Sequence, residues 1–264
     1  LTVDYNGFNL RLGKRLKKYG IPLVQFVSPH FWIYQYSRVY TMRDYFDKVL
    51  CILPFEADQL KKEGVNAVYI GNPVTDGFKF KYNSREEFLK AAGLETEGKL
   101  TVGLVPGSRK QEIKNMMPAI AGEARKLGSD KAQYVLARAD AVTDEQLAPY
   151  LDGLDIKVLS GQTHDVMKYS DILWICSGTA TLEAGIIGTP MIILYKSSAI
   201  NLFIAHRLTK PRMFGMPNII AGHYVVPELL NKTMTADKLL EEHEMMVPKL
   251  DDYREALKPL TGVF

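Results

Sequence analysis

Apolar runs of strand length that stop at a glycine-bearing turn and resume at once with helical spacing recur along this chain, and they constrain its fold more than any other feature. The sharpest instance is Leu100-Thr-Val-Gly-Leu-Val-Pro-Gly-Ser-Arg109, followed by Lys110-Gln-Glu-Ile-Lys114. It reads as a strand, a tight turn and a helix N-terminus. Gly107 lets the backbone approach a bound group, Ser108 is a natural N-cap, and the free amides and helix dipole there attract anions. Arg109 adds a planar cation suited to bidentate contact with a phosphate. An ordinary strand-to-helix turn accounts for the same segment equally well. The glycine spacing fits neither a dinucleotide fingerprint nor a P-loop.

The rhythm begins with Leu1 to Asp4 as the end of a strand. A helix follows with Phe8, Leu12, Leu16 and Tyr19 at helical spacing and Gly20 as its stop. Strands are predicted over 21–27, 49–53 and 67–70, with a short helix over 57–63. The polar run Lys79 to Glu87 breaks the pattern and suggests a domain boundary. From Leu100 a second series predicts strands over 133–137, 156–159, 171–176 and 190–195. Its helices run to about Leu127, from about Asp144, over 163–169, over the apolar 199–208, and from Ala236 onward. Alternation of this kind gives parallel sheets with helices on their faces. The length of 264 residues suggests about two domains. We therefore expect a partial N-terminal α/β domain over 1–78, a C-terminal α/β domain over 79–240 and a helical tail over 241–264. Because Leu1 opens in the middle of a strand-like run, the first domain is expected to be incomplete.

Composition excludes several classes. An apolar content of 47% with 24% charged residues is that of a soluble globular protein, and a net charge of +3 is too small to argue for nucleic acid. Residues 1–48 nevertheless carry eight Lys/Arg against three acids, interleaved with aromatics. The aromatic stretch His30 to Tyr36 reads as core or, with Arg38 and Arg43, as an edge facing an anionic membrane. Cys51 and Cys176 lie in apolar runs and read as buried thiols, which makes a cytosolic compartment the default. No run is long enough to span a bilayer. The five histidines lack ligand spacing, no Asp-x-Asp pair offers a cation site, and no Gly-x-Ser-x-Gly elbow marks a hydrolase.

In an open parallel sheet, ligands bind beyond the carboxyl ends of the strands. The turn at Pro106 to Arg109 and a second at Ser177-Gly-Thr179 both follow strands, and two anion-friendly turns on one rim suit a diphosphate. Glu183, one helical turn past Thr179, is placed to accept from a ribose diol or simply to face the helix dipole. Asn218, after Pro217, is either an amide presented to a base or phosphate or a turn-stabilising residue.

Taken in order, these segments resemble the lipid-A-disaccharide synthases, bacterial glycosyltransferases of the two-domain GT-B architecture. The matching pieces are Asp4-x-x-Gly-Phe-Asn-Leu-Arg-Leu12, Val27-Ser-Pro29 with Trp32 and Arg38, Leu53-Pro-Phe-Glu56, Val105-Pro-Gly-Ser-Arg109 with Glu112-Ile113, Ser177 to Glu183, Pro190 with Tyr195, and Pro217-Asn218 with Pro227-Glu228. The resemblance implies two Rossmann-like domains, acceptor and membrane side first, UDP-sugar side second. It implies an inverting transfer from UDP-2,3-diacylglucosamine to the 6-hydroxyl of 2,3-diacylglucosamine 1-phosphate, giving a β-1,6 disaccharide and UDP. No metal or other cofactor is expected. Gly107, Ser108, Arg109, Ser177, Gly178, Thr179, Glu183 and Asn218 are the implied donor-site residues, Arg109 also serving catalysis. A cytoplasmic enzyme held peripherally on the inner membrane follows, with a homodimer left open. Three motifs depart from the family pattern. The acid before Phe-Asn, a proposed catalytic base, is Gly7 here, leaving Asp4 as the nearest carboxylate and the candidate base, with capping of the strand-to-helix turn as its structural alternative. Gly-His-Pro is Gly71-Asn72-Pro73, and Trp-Ala-Trp is Trp32-Ile-Tyr34. Another UDP-sugar enzyme of the same architecture, such as a cell-wall N-acetylglucosaminyltransferase or a UDP-GlcNAc epimerase, and a non-catalytic nucleotide-sugar-binding module are the competing readings.

Overall fold

The structure, a computed structural model, describes residues 1–32, 35–196 and 213–262. The helix expected over 199–208 and Tyr34 lie outside the described residues. The chain divides into two compact units, the first ending at Gly77 and the second beginning at Phe78.

In the first unit, β1 (Thr2–Val3), β2 (Val24–Phe26), β3 (Lys48–Cys51) and β4 (Ala67–Tyr69) form a parallel sheet in that order. The connections carry α1 (Asn6–Leu16), α2 (Arg38–Tyr45) and α3 (Pro54–Lys62). Pro54 stands at the start of α3, where its missing N–H costs nothing, so this helix begins three residues earlier than its apolar spacing suggests. The spacing on α1 also misleads. Phe8 and Tyr19 are exposed, whereas Leu10 and Gly13 face the core, because the Phe46 ring lies so close over Gly13 that a Cβ there would meet it at 2.4 Å.

The second unit is a six-stranded, wholly parallel sheet. Its strands are β5 (Leu100–Val105), β6 (Ala132–Arg138), β7 (Ile156–Ser160), β8 (Ile172–Cys176), β9 (Met191–Tyr195) and β10 (Glu228–Leu230), in the order β10-β9-β8-β5-β6-β7. Helices α4 (Arg85–Ala92), α5 (Lys110–Leu127), α6 (Asp144–Leu151), α7 (Thr163–Tyr169), α8 (Thr179–Ile187), α9 (Met216–Ala221), α10 (Ala236–Met246) and α11 (Leu250–Thr261) complete it. With both faces covered, β8 is buried along its whole length, which is why it reads as an unbroken apolar run. Part of the charged run before the sheet is helix α4, docked by Arg85, whose guanidinium donates to Asp171 Oδ2 at 2.8 Å and to Thr101 Oγ1 at 3.1 Å. Residues 241–262 belong to this unit rather than to a separate tail: Met246, Leu257 and Leu260 are core residues. Both cysteines are buried free thiols, and burial pushes each up to about 12.

Two buried ionisable groups make this unit sensitive to pH. Glu123 on α5 is fully buried with neither oxygen hydrogen-bonded, and desolvation, reinforced by Glu244, pushes its carboxyl up to about 8. His243 on α10 is 3% exposed and lowered by burial to about 4. Between the ordinary carboxyl value and about pH 8 the folded chain holds a Glu123 proton that the unfolded chain releases, so stability falls as pH rises. His243 acts oppositely, since below its ordinary value the unfolded chain takes up a proton that the folded chain refuses until about pH 4. Denaturant unfolding at pH 6.5 and 8 should show the wild type weaker at pH 8 and Glu123→Gln nearly level. An equal loss in the variant would remove Glu123 as the cause.

Candidate functional site

The strand order places β8, β5 and β6 side by side, so the turns that follow them share the carboxyl rim of the second sheet. Gly107, Ser108 and Arg109 after β5, Ala137 and Ala139 at the end of β6, and Ser177, Gly178 and Thr179 after β8 line one cleft of about 270 Å³, with Thr163 of α7 on its wall. The two glycine turns therefore meet in a single pocket. Gly107 has φ +113° and Gly178 φ +152°, conformations that favour residues without a Cβ. Gly178 immediately precedes α8, and Thr179 and Ala180 of its first turn face the cleft. The Ser177 hydroxyl donates to the Phe214 carbonyl at 2.8 Å, which ties the turn to the segment leading into α9.

The first turn is capped differently from the expectation. Arg109, not Ser108, is the N-cap residue of α5, and the carboxylate of Glu112 folds back over Gly107. Glu112 Oε2 accepts from the amides of Ser108 at 2.8 Å and Arg109 at 3.2 Å, while Oε1 accepts from the Arg109 guanidinium at 2.7 Å. Two backbone amides and a guanidinium converging on one carboxylate make an anion site, and the chain's own carboxylate stands where an oxyanion would. In sequence, Glu112 is marked as one of the residues that carry the family resemblance and as an acid in a helix's first turn, the position of a capping-box acid, and neither places it over Gly107. Arg109 itself is 80% exposed and held by that pairing rather than by packing.

Glu183 is not part of the cleft lining. It sits one turn along α8 with Oε2 3.7 Å from Nε2 of His164, whose ring packs against Phe78 and Phe80. Asn218 requires a correction. It is fully buried in the short helix α9, where Nδ2 donates to the Val226 carbonyl at 2.9 Å and to Glu228 Oε1 at 2.8 Å. Its Oδ1 accepts from the amides of Val225 at 2.7 Å and Val226 at 3.0 Å. With every polar position engaged inside the chain, Asn218 fastens the 222–228 turn to α9 and has nothing left to offer a ligand.

In the first unit, Asp4 follows β1 on the carboxyl rim. Its side chain is exposed and, among the described residues, meets a long contact from Asn6 Nδ2 at 3.4 Å. The backbones of Asp4 and Tyr5 have φ of 45° and 36°, and side chains hold that turn: the Asp4 carbonyl accepts from Asn9 at 2.7 Å and Gln25 at 3.1 Å. At Gly7 an added Cβ would meet nothing within 4 Å.

A family profile described as lipid-A-disaccharide synthetase matches residues 1–259. The chain belongs to the lipid-A-disaccharide synthetase family. Curated synthases agree with that membership: one from Trichlorobacter lovleyi is 36% identical over 246 residues, covering 92% of this chain and 64% of its own length. Another from Geobacter sulfurreducens is 34% identical over 267 residues, covering 100% of this chain and 68% of its own. The chain thus spans about two thirds of the length of the family members it matches. In fold it is similar to the S. aureus MnaA–UDP co-structure, with TM-score 0.57, 13% identity and coverage of 93% of this chain and 64% of that one. It is likewise similar to a UDP-GlcNAc 2-epimerase from Neisseria meningitidis bound to UDP-GlcNAc, with TM-score 0.54, 14% identity and coverage of 93% and 66%. Two parallel α/β sheets and these neighbours give the family member a GT-B-type fold. Among the described residues no helix is long and apolar enough to cross a membrane, and no group of three metal-ligating side chains gathers.

Proposed function

We propose that this chain forms the donor-binding unit and part of the acceptor-side unit of an inverting glycosyltransferase that joins UDP-2,3-diacylglucosamine to 2,3-diacylglucosamine 1-phosphate. The products are the β-1,6 disaccharide and UDP. The observation that carries the reading is the cleft in which the Gly107 and Gly178 turns meet, with three hydrogen-bond donors already converged on one carboxylate. In the donor complex the diphosphate takes the place of Glu112 on the Ser108 and Arg109 amides. The N-terminus of α8 and the Arg109 guanidinium then carry the charge that grows on departing UDP. Those fixed dipoles and one cation suffice for the role without a metal.

The exposed Phe8 and Tyr19, beside the Lys and Arg residues of the first twenty, form the edge that meets an anionic membrane surface. The deciding experiment assays the intact protein with both lipid substrates, alone and on anionic vesicles, following UDP and disaccharide. Disaccharide formation that requires the acylated donor is expected. Comparable turnover of water-soluble UDP-sugars would favour a different sugar enzyme, and UDP affinity without any turnover a binding module.

A further inference from the structure

The core of the second unit holds a group of polar side chains that the donor cleft does not use. Among the described residues, seven buried side-chain polar atoms have no hydrogen-bond partner within the chain, and five of them belong to four residues of a single layer. They are both carboxyl oxygens of Glu123 on α5, the Tyr134 hydroxyl on β6, the Trp174 indole nitrogen on β8 and Nδ1 of His243 on α10. All four side chains are buried, at 3% exposure or less. The Trp174 ring centroid lies 5.8 Å from that of Tyr134 and 5.5 Å from that of His243. Burial, and then the nearby Glu123 carboxyl, raise the Tyr134 phenol. The surrounding layer is apolar, with Ile120 and Ala124 beside Glu123 and with Leu239 and Met246 beside His243 along their helices.

Polar groups gathered in this way are costly in a dry core, because each loses its hydration and gains nothing in return. An ion pair does not resolve them: burial holds the Glu123 carboxyl neutral up to about pH 8 and the His243 imidazole neutral down to about pH 4. The indole N–H only donates, whereas the hydroxyl and the carboxylic acid each donate and accept. A ligand that satisfies the whole set must therefore offer donors and acceptors together. A cation gains nothing from the indole, and an apolar molecule leaves every group orphaned. We infer that Glu123, Tyr134, Trp174 and His243 hold enclosed water, shared between Trp174 Nε1, from which it accepts, and the polar atoms around it. The side chains adjoin one another while none of these atoms bonds to another directly, the situation in which a bridging water serves. Strand β8 runs on to Cys176 and α5 starts just beyond Arg109, so the hydrated layer braces two of the elements whose ends form the cleft.

High-resolution diffraction from crystals of the intact protein tests this, with water itself as the probe. Density is expected for enclosed water within hydrogen-bond distance of Trp174 Nε1 and of at least one of the other three groups. Density showing no water shared between Trp174 Nε1 and another of the four would overturn the inference, whether the groups bond one another directly or stand in a dry core. Thermal unfolding of Tyr134→Phe supplies a measurement that needs no crystal, since the substitution keeps the ring and removes only the hydroxyl. In a hydrated layer the shared water loses a partner, and the variant should melt roughly 2–4 °C below wild type. In a dry core the same change deletes an orphan, so an unchanged or raised melting temperature would also overturn the inference.

Discussion

Replacing Arg109 by alanine is expected to weaken UDP binding by about 1.5–3 kcal/mol, roughly 10- to 150-fold in affinity. On the proposed donor reading the guanidinium supplies a charge-assisted bond to the diphosphate, and it also pairs with Glu112, 2.7 Å away. Without it an uncompensated carboxylate occupies the amide cradle and repels the incoming ligand, so Glu112→Ala in the same chain should recover part of the loss. Arg109 is 80% exposed, and its removal should leave unfolding free energy within about 0.5 kcal/mol of wild type. Calorimetric titration with UDP and denaturant unfolding on the same samples check both parts. An unchanged affinity would disprove the assigned donor site.

Asn218→Ala should have the opposite profile. It orphans the buried amides of Val225 and Val226 and the Val226 carbonyl, and it strips one donor from Glu228, which keeps the amides of Phe214 at 2.9 Å and Gly215 at 2.8 Å. At about 1–3 kcal/mol for a buried group left unpaired, a total near 3 kcal/mol is expected. A unit of this size then melts roughly 6–12 °C lower. Thermal unfolding of Asn218→Ala checks this. A normal melting temperature combined with lost UDP binding would restore the direct ligand contact first expected for this residue.

How much was legible in the amino-acid order follows from which contacts are local. The β5 turn, the Ser177–Thr179 turn and their shared rim are visible because a strand, a glycine and a helix start are consecutive, and parallel topology then forces the two turns onto one edge. Strand β10 and the helices α2, α4 and α9 are not. Arg38 to Tyr45 lacks a clean apolar face, Arg85 to Ala92 buries Phe88, Leu89 and Ala92 but lies partly within a charged run that reads as a boundary, β10 is only three residues long, and Met216 to Ala221 carries Pro217 in its first turn, which reads equally as a loop. Glu112 sits in plain view, yet its reach back over Gly107 depends on a φ that spacing does not report. Asn218 fails for the converse reason. A polar residue in a Pro-Asn pair looks available until its four internal partners are counted.

A carboxylate anchored within the cradle it fills behaves as a permanent rival for that place, present at the high effective concentration of a tethered group. Stray monoanions such as chloride or acetate win little by evicting it. A visitor prevails only if it carries several negative oxygens and brings further attachments along the cleft, as the pyrophosphate of a nucleotide sugar does. On the proposed donor reading, the loop thereby screens its guests by valence before any sugar or acyl group is inspected.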